Sequence, residues 1–506
     1  MHMDIHFLGH SEFILEIPSG NGRTVNLLCD SWLSDYAFGD FMARNPAVKI
    51  NAGEFQKIDG IFISHPHCDH LDPYTLVPLF KFMRPDIIIP ESMLYLTDLF
   101  NKYLDNPNLI ILRHNCEQKW KGISLTAYSF TSSYNSNEDD VMPLLIETND
   151  SILFHEVDRA VPDTADAWNP IYKRFKNKKY KNRIYIATRN ELEALFTSYD
   201  AKTPEIRKKL LSNYRERRKS EMEWEYEKFD SGESDFPELW KLPDMIKIFT
   251  GQGMIHSPEL FPEHLKISAP FPLDDIVKEE KNIAGIYRRK LKFAAHRPGM
   301  KARIHNGNIA FEGKTPYLES FHIHETSMKE NIQTDEISAP SPVFNEKRNA
   351  NEQKKIIENI LQNRFFPFHI IHPEDSLKDA IHAKKNKKYV IEILFGTAEN
   401  SESCFYSLGL SDFKFSESVS APDTVDESYW ANDLEDYISG KQDMFSTTFH
   451  TFKEGTTIRL WTSLGFPYLN SDLVHRKINF HFNRACENKS VNDWFFEASR
   501  KFHRKK

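Results

Sequence analysis

The sequence is poor in cysteine and contains no long apolar run. Its five cysteines lack Cys-x-x-Cys spacing, which argues against a disulfide framework or a cysteine-ligated zinc site and is typical of a reducing compartment. No apolar stretch approaches the ~20 residues that span a bilayer. No signal-peptide pattern follows Met1. These absences lead us to expect a cytoplasmic protein without a membrane span.

The chain also lacks a strong excess of charge of one sign. Its net charge of −8 and isoelectric point near 6.2 give no general reason to expect binding to nucleic acid or to a membrane surface. Neither a serine–histidine–aspartate nucleophile motif nor a phosphate-binding glycine loop is present. A length of 506 residues with 40% hydrophobic residues predicts two or three domains, each with its own core.

The most informative segment is a histidine-rich loop that follows an apolar stretch. Residues 61–63 are Ile-Phe-Ile, and His65, His67, Asp69 and His70 come directly after them. Imidazole favours zinc, iron or manganese, and a carboxylate also suits harder metals. A strand that carries four such side chains to one loop predicts a metal site at the carboxyl end of the strand. We expect His65 and His67 to share one ion, and Asp69 and His70 to face a second.

The spacing His-x-His-x-Asp-His resembles the metal loop of the metallo-β-lactamase superfamily. Residues 5–17, with a Gly-His-Ser step, resemble the first hairpin of that family, and residues 25–33 resemble its next strand. These features are similar to the branch that contains ascorbate-6-phosphate lactonase, N-acylphosphatidylethanolamine phospholipase D and CMP-N-acetylneuraminate hydroxylase-like proteins. The resemblance covers roughly residues 1–300 and implies that Asp30 holds a ligand histidine in place.

A two-metal centre of this family would need further ligands. The resemblance implies that Asp158, which follows a predicted hairpin, bridges the two ions. The histidine that usually precedes that hairpin is missing. Asn135, Asp139 or Asp140 could replace it through oxygen, or His114 could reach in from a neighbouring strand end, and the position could also be weak or vacant. An exchange of oxygen for nitrogen would favour iron or manganese over zinc.

Candidates for the last histidine lie farther along the chain. His296 ends an apolar stretch before a Pro-Gly turn, and strand ends are where this architecture places ligands, so we predict that it binds metal. His256, in a glycine-containing loop, and His264 are the alternatives. We expect His155, at the end of the predicted hairpin, to pack near the site, and Cys68 to face away from the ions.

Apolar patterns and composition divide the chain into two domains. Residues 1–325 mix short strands with helices, which fits an α/β domain, a metallo-β-lactamase-like αββα sandwich with helices outside two packed sheets. Residues 160–245 read as a charged insertion within it. The basic run Lys173–Arg183 in that insertion is a solvated face, or alternatively a lid that meets an anionic substrate. A linker at 326–350 and an α+β domain at 351–506 follow.

Periodicity locates several individual elements. It predicts strands at 87–90, 109–112, 123–128 and 389–396, helices at 76–83, 93–104 and 429–440, and a hairpin over 144–154. These elements supply both of the predicted domains with helices and strands.

The metal loop leads to three hypotheses about function. The first is a metal-dependent hydrolase in which two zinc ions, or alternatively iron or manganese, supply a hydroxide that attacks an ester, lactone, amide or phosphodiester of an anionic small molecule. His65, His67, Asp69, His70, Asp158 and His296 would hold the metal, and Asp69 would also accept the proton of the attacking water. The second is a non-haem iron oxygenase that resembles the hydroxylase branch without its Rieske domain. The third is a binding module with a decayed metal site.

Overall fold

The computed structural model describes residues 2–20, 22–37, 42–129, 141–158, 165–188, 203–230, 239–251, 253–257, 273–323, 341–365, 388–409, 415–418, 425–442 and 467–487. Helices and strands make up most of these segments. The α-helices are α1 (Ala52–Phe55), α2 (Pro73–Phe82), α3 (Thr97–Tyr103), α4 (Ala165–Phe175), α5 (Pro204–Asp230), α6 (Leu273–Ile286), α7 (Ala350–Ile360), α8 (Ala431–Ser439) and α9 (Pro467–Glu487). Short 3₁₀ helices cover Glu91–Leu96 and Leu239–Lys241, and a π-helical turn covers Leu361–Phe365.

The strands of the first half of the chain are β1 (Met3–Gly9), β2 (Glu12–Pro18), β3 (Thr24–Cys29), β4 (Tyr36–Ala37), β5 (Met42–Arg44), β6 (Ala47–Ile50), β7 (Gly60–Phe62), β8 (Asp86–Pro90), β9 (Leu109–Leu112), β10 (Gln118–Trp120), β11 (Ile123–Ala127), β12 (Leu144–Glu147), β13 (Ser151–His155), β14 (Asn182–Thr188) and β15 (Met245–Thr250). Those that follow are β16 (Met254–His256), β17 (Lys292–Ala295), β18 (Met300–His305), β19 (Asn308–Lys314), β20 (Leu318–His322), β21 (Lys388–Thr397), β22 (Asn400–Gly409), β23 (Phe415–Ser418) and β24 (Glu427–Trp430).

Two large sheets form the centre of the first domain. One has the strand order β19-β18-β1-β2-β3-β7-β8-β9, and the other has the order β10-β11-β12-β13-β14-β15-β17. Strands β3, β7, β8 and β9 are parallel neighbours in the first sheet. Strands β13, β14, β15 and β17 are parallel neighbours in the second. In each parallel group the carboxyl ends of the strands therefore lie along one edge, which is where such sheets place ligands.

An apolar core fills the space between the two sheets. It joins Ile5 and Phe7 of β1 to Ile184 and Ile186 of β14, all of them fully buried. Strands in both sheets also bury their outer faces, so they appear in the sequence as continuous apolar runs rather than as an alternation. Each such side chain stabilises the fold by roughly 1.5–3 kcal/mol through its removal from water.

Helices cover the outer faces of both sheets. Apolar residues of α2 and α3 form one cluster with the outer face of the first sheet. Residues of α4, α5 and α6 form another with the outer face of the second sheet. The layers are therefore helix, sheet, sheet, helix, and the predicted αββα sandwich is confirmed.

Helix α9, near the end of the chain, belongs to the same outer layer as α2. Its residues Val474, Ile478 and Phe482 are buried in the cluster on the first sheet. The Phe482 ring stacks on Tyr103 of α3 with centroids 5.0 Å apart and an interplanar angle of 2°. The sequence analysis placed residues 467–487 in a separate C-terminal domain. In the structure, α9 covers part of the outer face of the first sheet.

The remaining C-terminal elements form an α+β unit, as predicted. Its sheet has the strand order β23-β22-β21-β24, and residues of α7 and α8 pack against it. Helix α8 ends at Gly440, whose φ of 82° is the left-handed conformation that glycine adopts most easily. The domain boundaries themselves stay predictions. Within the described segments, no helix is both long and apolar enough to cross a membrane.

Most of the individual elements lie where periodicity placed them. The strands at 87–90, 109–112, 123–128 and 389–396 and the hairpin at 144–154 are present. The helix predicted at 93–104 is divided into the 3₁₀ helix at 91–96 and α3. The helix predicted at 429–440 begins two residues later, because Trp430 still belongs to β24.

The segment 160–245 is not a simple insertion. Its strand β14 is buried along its whole length and lies between β13 and β15 in the second sheet. The basic run Lys173–Arg183 leads into the amino end of β14, where Asn182 pairs with Ser151. Asp158 follows the carboxyl end of β13, so roughly 13 Å of strand separates the run from that end. The prediction that this run forms a lid over the metal site is therefore wrong.

A buried charged cluster fastens α5 and α6 to the second sheet. The ammonium of Lys247, on β15, lies 2.8 Å from Glu225 of α5 and 2.5 Å from Glu280 of α6, and all three residues are buried. The ring of Trp240 lies 4.6 Å from the same ammonium. Removal of one member of such a buried cluster destabilises the fold, because it leaves the opposite charge buried without compensation.

We expect Lys247→Met to destabilise the protein by roughly 3–5 kcal/mol, because it leaves two buried glutamates without their counter-ion. Urea unfolding would measure this change. Lys278→Met, on the exposed side of α6, removes the same charge without this cluster and serves as the control. Equal stability of the two variants would contradict the prediction.

Candidate metal centre

The carboxylate of Asp30 joins the ends of two parallel strands. Asp30 follows β3, and the metal loop follows its neighbour β7. The backbone nitrogen and the hydroxyl of Ser64 donate to Asp30 Oδ1 over 2.9 and 2.8 Å. His70 Nδ1 lies 2.8 Å from Asp30 Oδ2. Asp30 therefore holds both the start and the end of the metal loop, as the family resemblance implied for one histidine.

These hydrogen bonds define the tautomer of His65. The hydroxyl of Ser64 has one proton, which it donates to Asp30, so it accepts from His65 Nδ1 over 2.9 Å. The lone pair of the imidazole then lies on Nε2. Burial, followed by the positive charges of His70, His67 and Lys477, holds the pKa of His65 well below its usual range. A neutral imidazole with a free Nε2 is the form that binds a metal.

His70 lies among three carboxylates. Its Nε2 is 2.8 Å from Asp158 Oδ2 and 3.5 Å from Asp69 Oδ2, and its Nδ1 faces Asp30. Burial alone would lower the pKa of His70, but the three negative charges outweigh it and raise that pKa well above its usual range. So much buried negative charge around one imidazole favours a bound cation.

The predicted ligands fall into two groups that share His70, and two of them belong to neither group. Ligand atoms of His65, His70 and Asp158 lie within 4.8 Å of one another. Asp69 and His70 belong to a second such group. His67 is in neither group, although its ring lies 4.4 Å from that of His65, and His296 is in neither group.

Five buried atoms of these predicted ligands have no hydrogen-bond partner among the described residues. They are Nε2 of His65, His67 and His296, and Oδ1 of Asp69 and Asp158. Buried polar groups are normally paired, and such atoms in one region indicate a missing ion or ligand. Three imidazole nitrogens and two carboxylate oxygens are a suitable donor set for zinc, iron or manganese.

His296 follows β17 and is oriented by the first hairpin. Its Nδ1 donates to the carbonyl of His10 over 2.8 Å, which leaves the lone pair on Nε2. Burial, only partly offset by this hydrogen bond, lowers the pKa of His296 to about 3. A backbone carbonyl behind the ring is a common arrangement for a metal-binding histidine.

The other sequence candidates have different positions. His155 is buried with Nε2 3.9 Å from Asp30 Oδ2, so it packs behind the loop as expected. Cys68 is buried in an apolar cluster with Trp32 and Met254. His114 is exposed, and its Nδ1 accepts from the backbone nitrogen of Ser129.

Several alternatives lie outside the described residues. They are Asn135, Asp139, Asp140 and His264, and the side chain of His256. The replacement for the missing loop histidine therefore stays a prediction.

One nearby histidine was not predicted as a site residue. His10 forms the second candidate group with Asp69 and His70, and its Nε2 lies 3.2 Å from Asp69 Oδ2. It lies in the turn between β1 and β2, far from the motif in sequence. The feature of the sequence that could have indicated a role for His10 is the Gly-His-Ser step, which resembles the first hairpin of the family.

The C-terminal part of the chain reaches the metal loop through α9. His481 Nδ1 lies 3.1 Å from the hydroxyl of Tyr74, within hydrogen-bond distance. Tyr74 lies in the first turn of α2, which begins directly after the loop and is capped by Asp72. Lys477 lies one helical turn before His481, on the same face of α9, and is 5% exposed. Its charge contributes to the lowered pKa of His65, after burial and the charges of His70 and His67.

No family model matches the chain, and no curated protein matches it either. Among solved structures, the metallo-β-lactamase fold protein YhfI from Bacillus subtilis is 11% identical, with 60% of this chain and 100% of that chain covered and a TM-score of 0.32. CmlA, a diiron β-hydroxylase from Streptomyces venezuelae, is 10% identical, with 60% of this chain covered and a TM-score of 0.32. The match spans 54% of the length of CmlA. Zn²⁺-bound PqqB from Methylobacterium extorquens is 11% identical, with 38% and 75% covered and a TM-score of 0.25.

The chain has a metallo-β-lactamase-like fold. Its own layers and the position of the His-x-His-x-Asp-His loop, at the carboxyl end of β7, are what define it. The predicted resemblance is thus confirmed for the fold, and the branch within the superfamily stays a prediction.

We expect Asp30→Asn to lower the affinity for zinc by roughly 10–100-fold, because an amide nitrogen would face His70 Nδ1 and disturb the tautomer of that ring. Competition with a chromophoric chelator would measure the affinity. Asp274→Asn, at a side chain that is 72% exposed on α6, is the control. An unchanged affinity in Asp30→Asn would show that this carboxylate has no part in metal binding.

Proposed function

We propose that the protein is a metal-dependent hydrolase that acts on an ester, lactone, amide or phosphodiester of an anionic small molecule. The observation that supports this proposal most directly is the set of five unpartnered, buried ligand atoms at one end of the sandwich. Divalent ions bound there would lower the pKa of water toward neutrality and polarise the oxygen of the group under attack.

The residues of the site have distinct parts in this proposal. His65 and His70 present Nε2 because Ser64 and Asp30 occupy their Nδ1 atoms. Asp158 lies within reach of both rings, 3.7 and 2.8 Å away, as a bridging carboxylate requires. Asp69 Oδ1 has no hydrogen-bond partner within the described segments, and this oxygen would bind metal or accept the proton of the attacking water. His67 and His296, whose Nε2 atoms have no hydrogen-bond partner among the described residues, would complete the ligand set.

An anionic substrate is supported by α9 rather than by the basic run Lys173–Arg183. That run enters the opposite end of the strands. Lys477 of α9 is 5% exposed and its positive charge contributes to the lowered pKa of His65, and a phosphate or carboxylate of the substrate would bind to its ammonium. The C-terminal domain would then contribute to substrate selection.

A non-haem iron oxygenase is the second candidate. The sequence of the loop before β12 supports it, since residues 130–140 contain no histidine and carboxylate or amide oxygens would have to take the place of that nitrogen. A site with fewer nitrogens favours iron. The identity of the bound metal distinguishes the two candidates.

We expect protein purified without added metal under anaerobic conditions to contain about two zinc ions per chain, since the residues form two candidate groups. Elemental mass spectrometry would measure the content beside His67→Ala, which should lose metal. His305→Ala, at an exposed histidine on β18, is the matched control and should lose none.

Hydrolysis of p-nitrophenyl esters and of bis(p-nitrophenyl) phosphate by the zinc form would support the hydrolase. Bound iron with substrate-dependent oxygen consumption would favour the oxygenase instead. A wild-type protein that contains no metal would contradict both enzyme hypotheses, and the binding module would then be the remaining hypothesis.

We expect Lys477→Met to raise KM for bis(p-nitrophenyl) phosphate about tenfold and to leave KM for neutral p-nitrophenyl acetate unchanged, because a hydrogen bond to a charged group contributes roughly 1.5–3 kcal/mol. Arg476→Met removes a positive charge from the neighbouring position of α9, where the side chain is 47% exposed. A similar rise of KM in both variants would indicate a general effect of charge rather than a contact with substrate.

A further inference from the structure

We infer that His10 is a positioning residue of the metal centre, which orients Asp69 through its ring and His296 through its backbone carbonyl. The inference rests on the proposed metal-dependent function and adds a residue outside the metal-loop motif. It applies to the ion that Asp69 and His70 would hold.

The ring of His10 has one hydrogen bond that matters for Asp69. Its Nε2 donates to Asp69 Oδ2 over 3.2 Å, and both side chains are almost fully buried. Oδ1 of the same carboxylate has no hydrogen-bond partner among the described residues. The hydrogen bond therefore occupies one oxygen of Asp69 and leaves the other for the metal. Outer partners of this kind orient a ligand carboxylate.

The carbonyl of His10 has a second, independent effect. It accepts a hydrogen bond from His296 Nδ1 over 2.8 Å and another from the backbone nitrogen of Gly251 over 3.0 Å. The first of these makes His296 Nε2 the free nitrogen. One residue thus determines which atoms of two predicted ligands remain available, although the three residues are far apart in sequence.

The backbone at His10 adopts a conformation that a histidine rarely has. Its φ is 36°, in the left-handed region that costs a non-glycine residue of order 1–3 kcal/mol. Such strain persists where the surrounding structure requires it, and it is frequent at functional sites. Here it directs the ring and the carbonyl of one residue toward two different ligands.

Neighbouring residues hold this conformation in place. A Cβ atom at Gly253 would lie 2.7 Å from the nitrogen of His10, so glycine is needed for the close approach of Gly253 to this turn. Two residues after His10, the buried Glu12 accepts a hydrogen bond over 2.9 Å from Arg44 on β5. The turn is therefore fixed on both sides before any metal binds.

The test compares three substitutions at His10 by their affinity for zinc and by the visible spectrum of the cobalt-substituted protein. His10→Gln keeps an N–H donor at about the position of Nε2. His10→Asn places its donor nearer the position of Nδ1, and His10→Leu has none. Melting temperatures of the metal-free forms establish that each variant folds.

We expect His10→Leu and His10→Asn to bind the second equivalent of zinc roughly 10–100-fold more weakly than the wild type, and His10→Gln to recover most of that affinity. The cobalt spectrum of the second equivalent should change in the same two variants.

Two results with the His10 variants would overturn the inference. Wild-type affinity in His10→Leu would mean that the hydrogen bond to Asp69 is unimportant. Equal loss in His10→Gln and His10→Leu would mean that the imidazole binds the ion itself. Either result leaves the proposed hydrolase intact if the wild type binds metal and turns over substrate. A wild type that binds metal without hydrolysis would refute the hydrolase and not the role of His10, whereas one that binds no metal would refute both.

Discussion

The site depends on the buried carboxylate of Asp30. Its two oxygens hold Ser64 and His70, and through Ser64 they determine the tautomer of His65. Burial alone would raise the pKa of Asp30, but the charge of His70, the hydrogen bond from its Nδ1 and the nearby ring of His155 keep that pKa well below its usual range. A carboxylate that stays ionised inside the protein must be surrounded by donors. The metal loop supplies these donors, so the loop and Asp30 are stable only together.

The second constraint is the need to cover the outer face of the first sheet. Helix α9 covers part of it, and His481 of the same helix contacts Tyr74 in the first turn of α2, directly after the metal loop. Residues near the end of the described chain therefore complete the apolar cluster on the outer face of the first sheet. In our proposal, the packing that stabilises the sandwich also brings a cation to the position where substrate would bind.

The candidate centre combines contributions from several separate elements. The loop after β7 supplies four side chains, the end of β13 supplies Asp158, the end of β17 supplies His296, and the first hairpin supplies His10. These parallel strands end at one edge of the sandwich, so predicted ligands that are distant in sequence, such as His70 and Asp158, come together there. The surrounding hydrogen bonds then select the nitrogen or oxygen that each ligand presents.

The sequence by itself determined the metal loop, the αββα class and most strands, because spacing within a loop and the burial of apolar runs are local properties of the chain. Through the resemblance to a known family, it also predicted that Asp30 holds a ligand histidine and that Asp158 lies at the metal site. Only the tertiary structure decided that His10 contacts Asp69, that β14 lies inside the second sheet, and that His481 contacts Tyr74. Each of these contacts joins residues that are far apart along the chain, and local periodicity contains no information about which distant elements pack together.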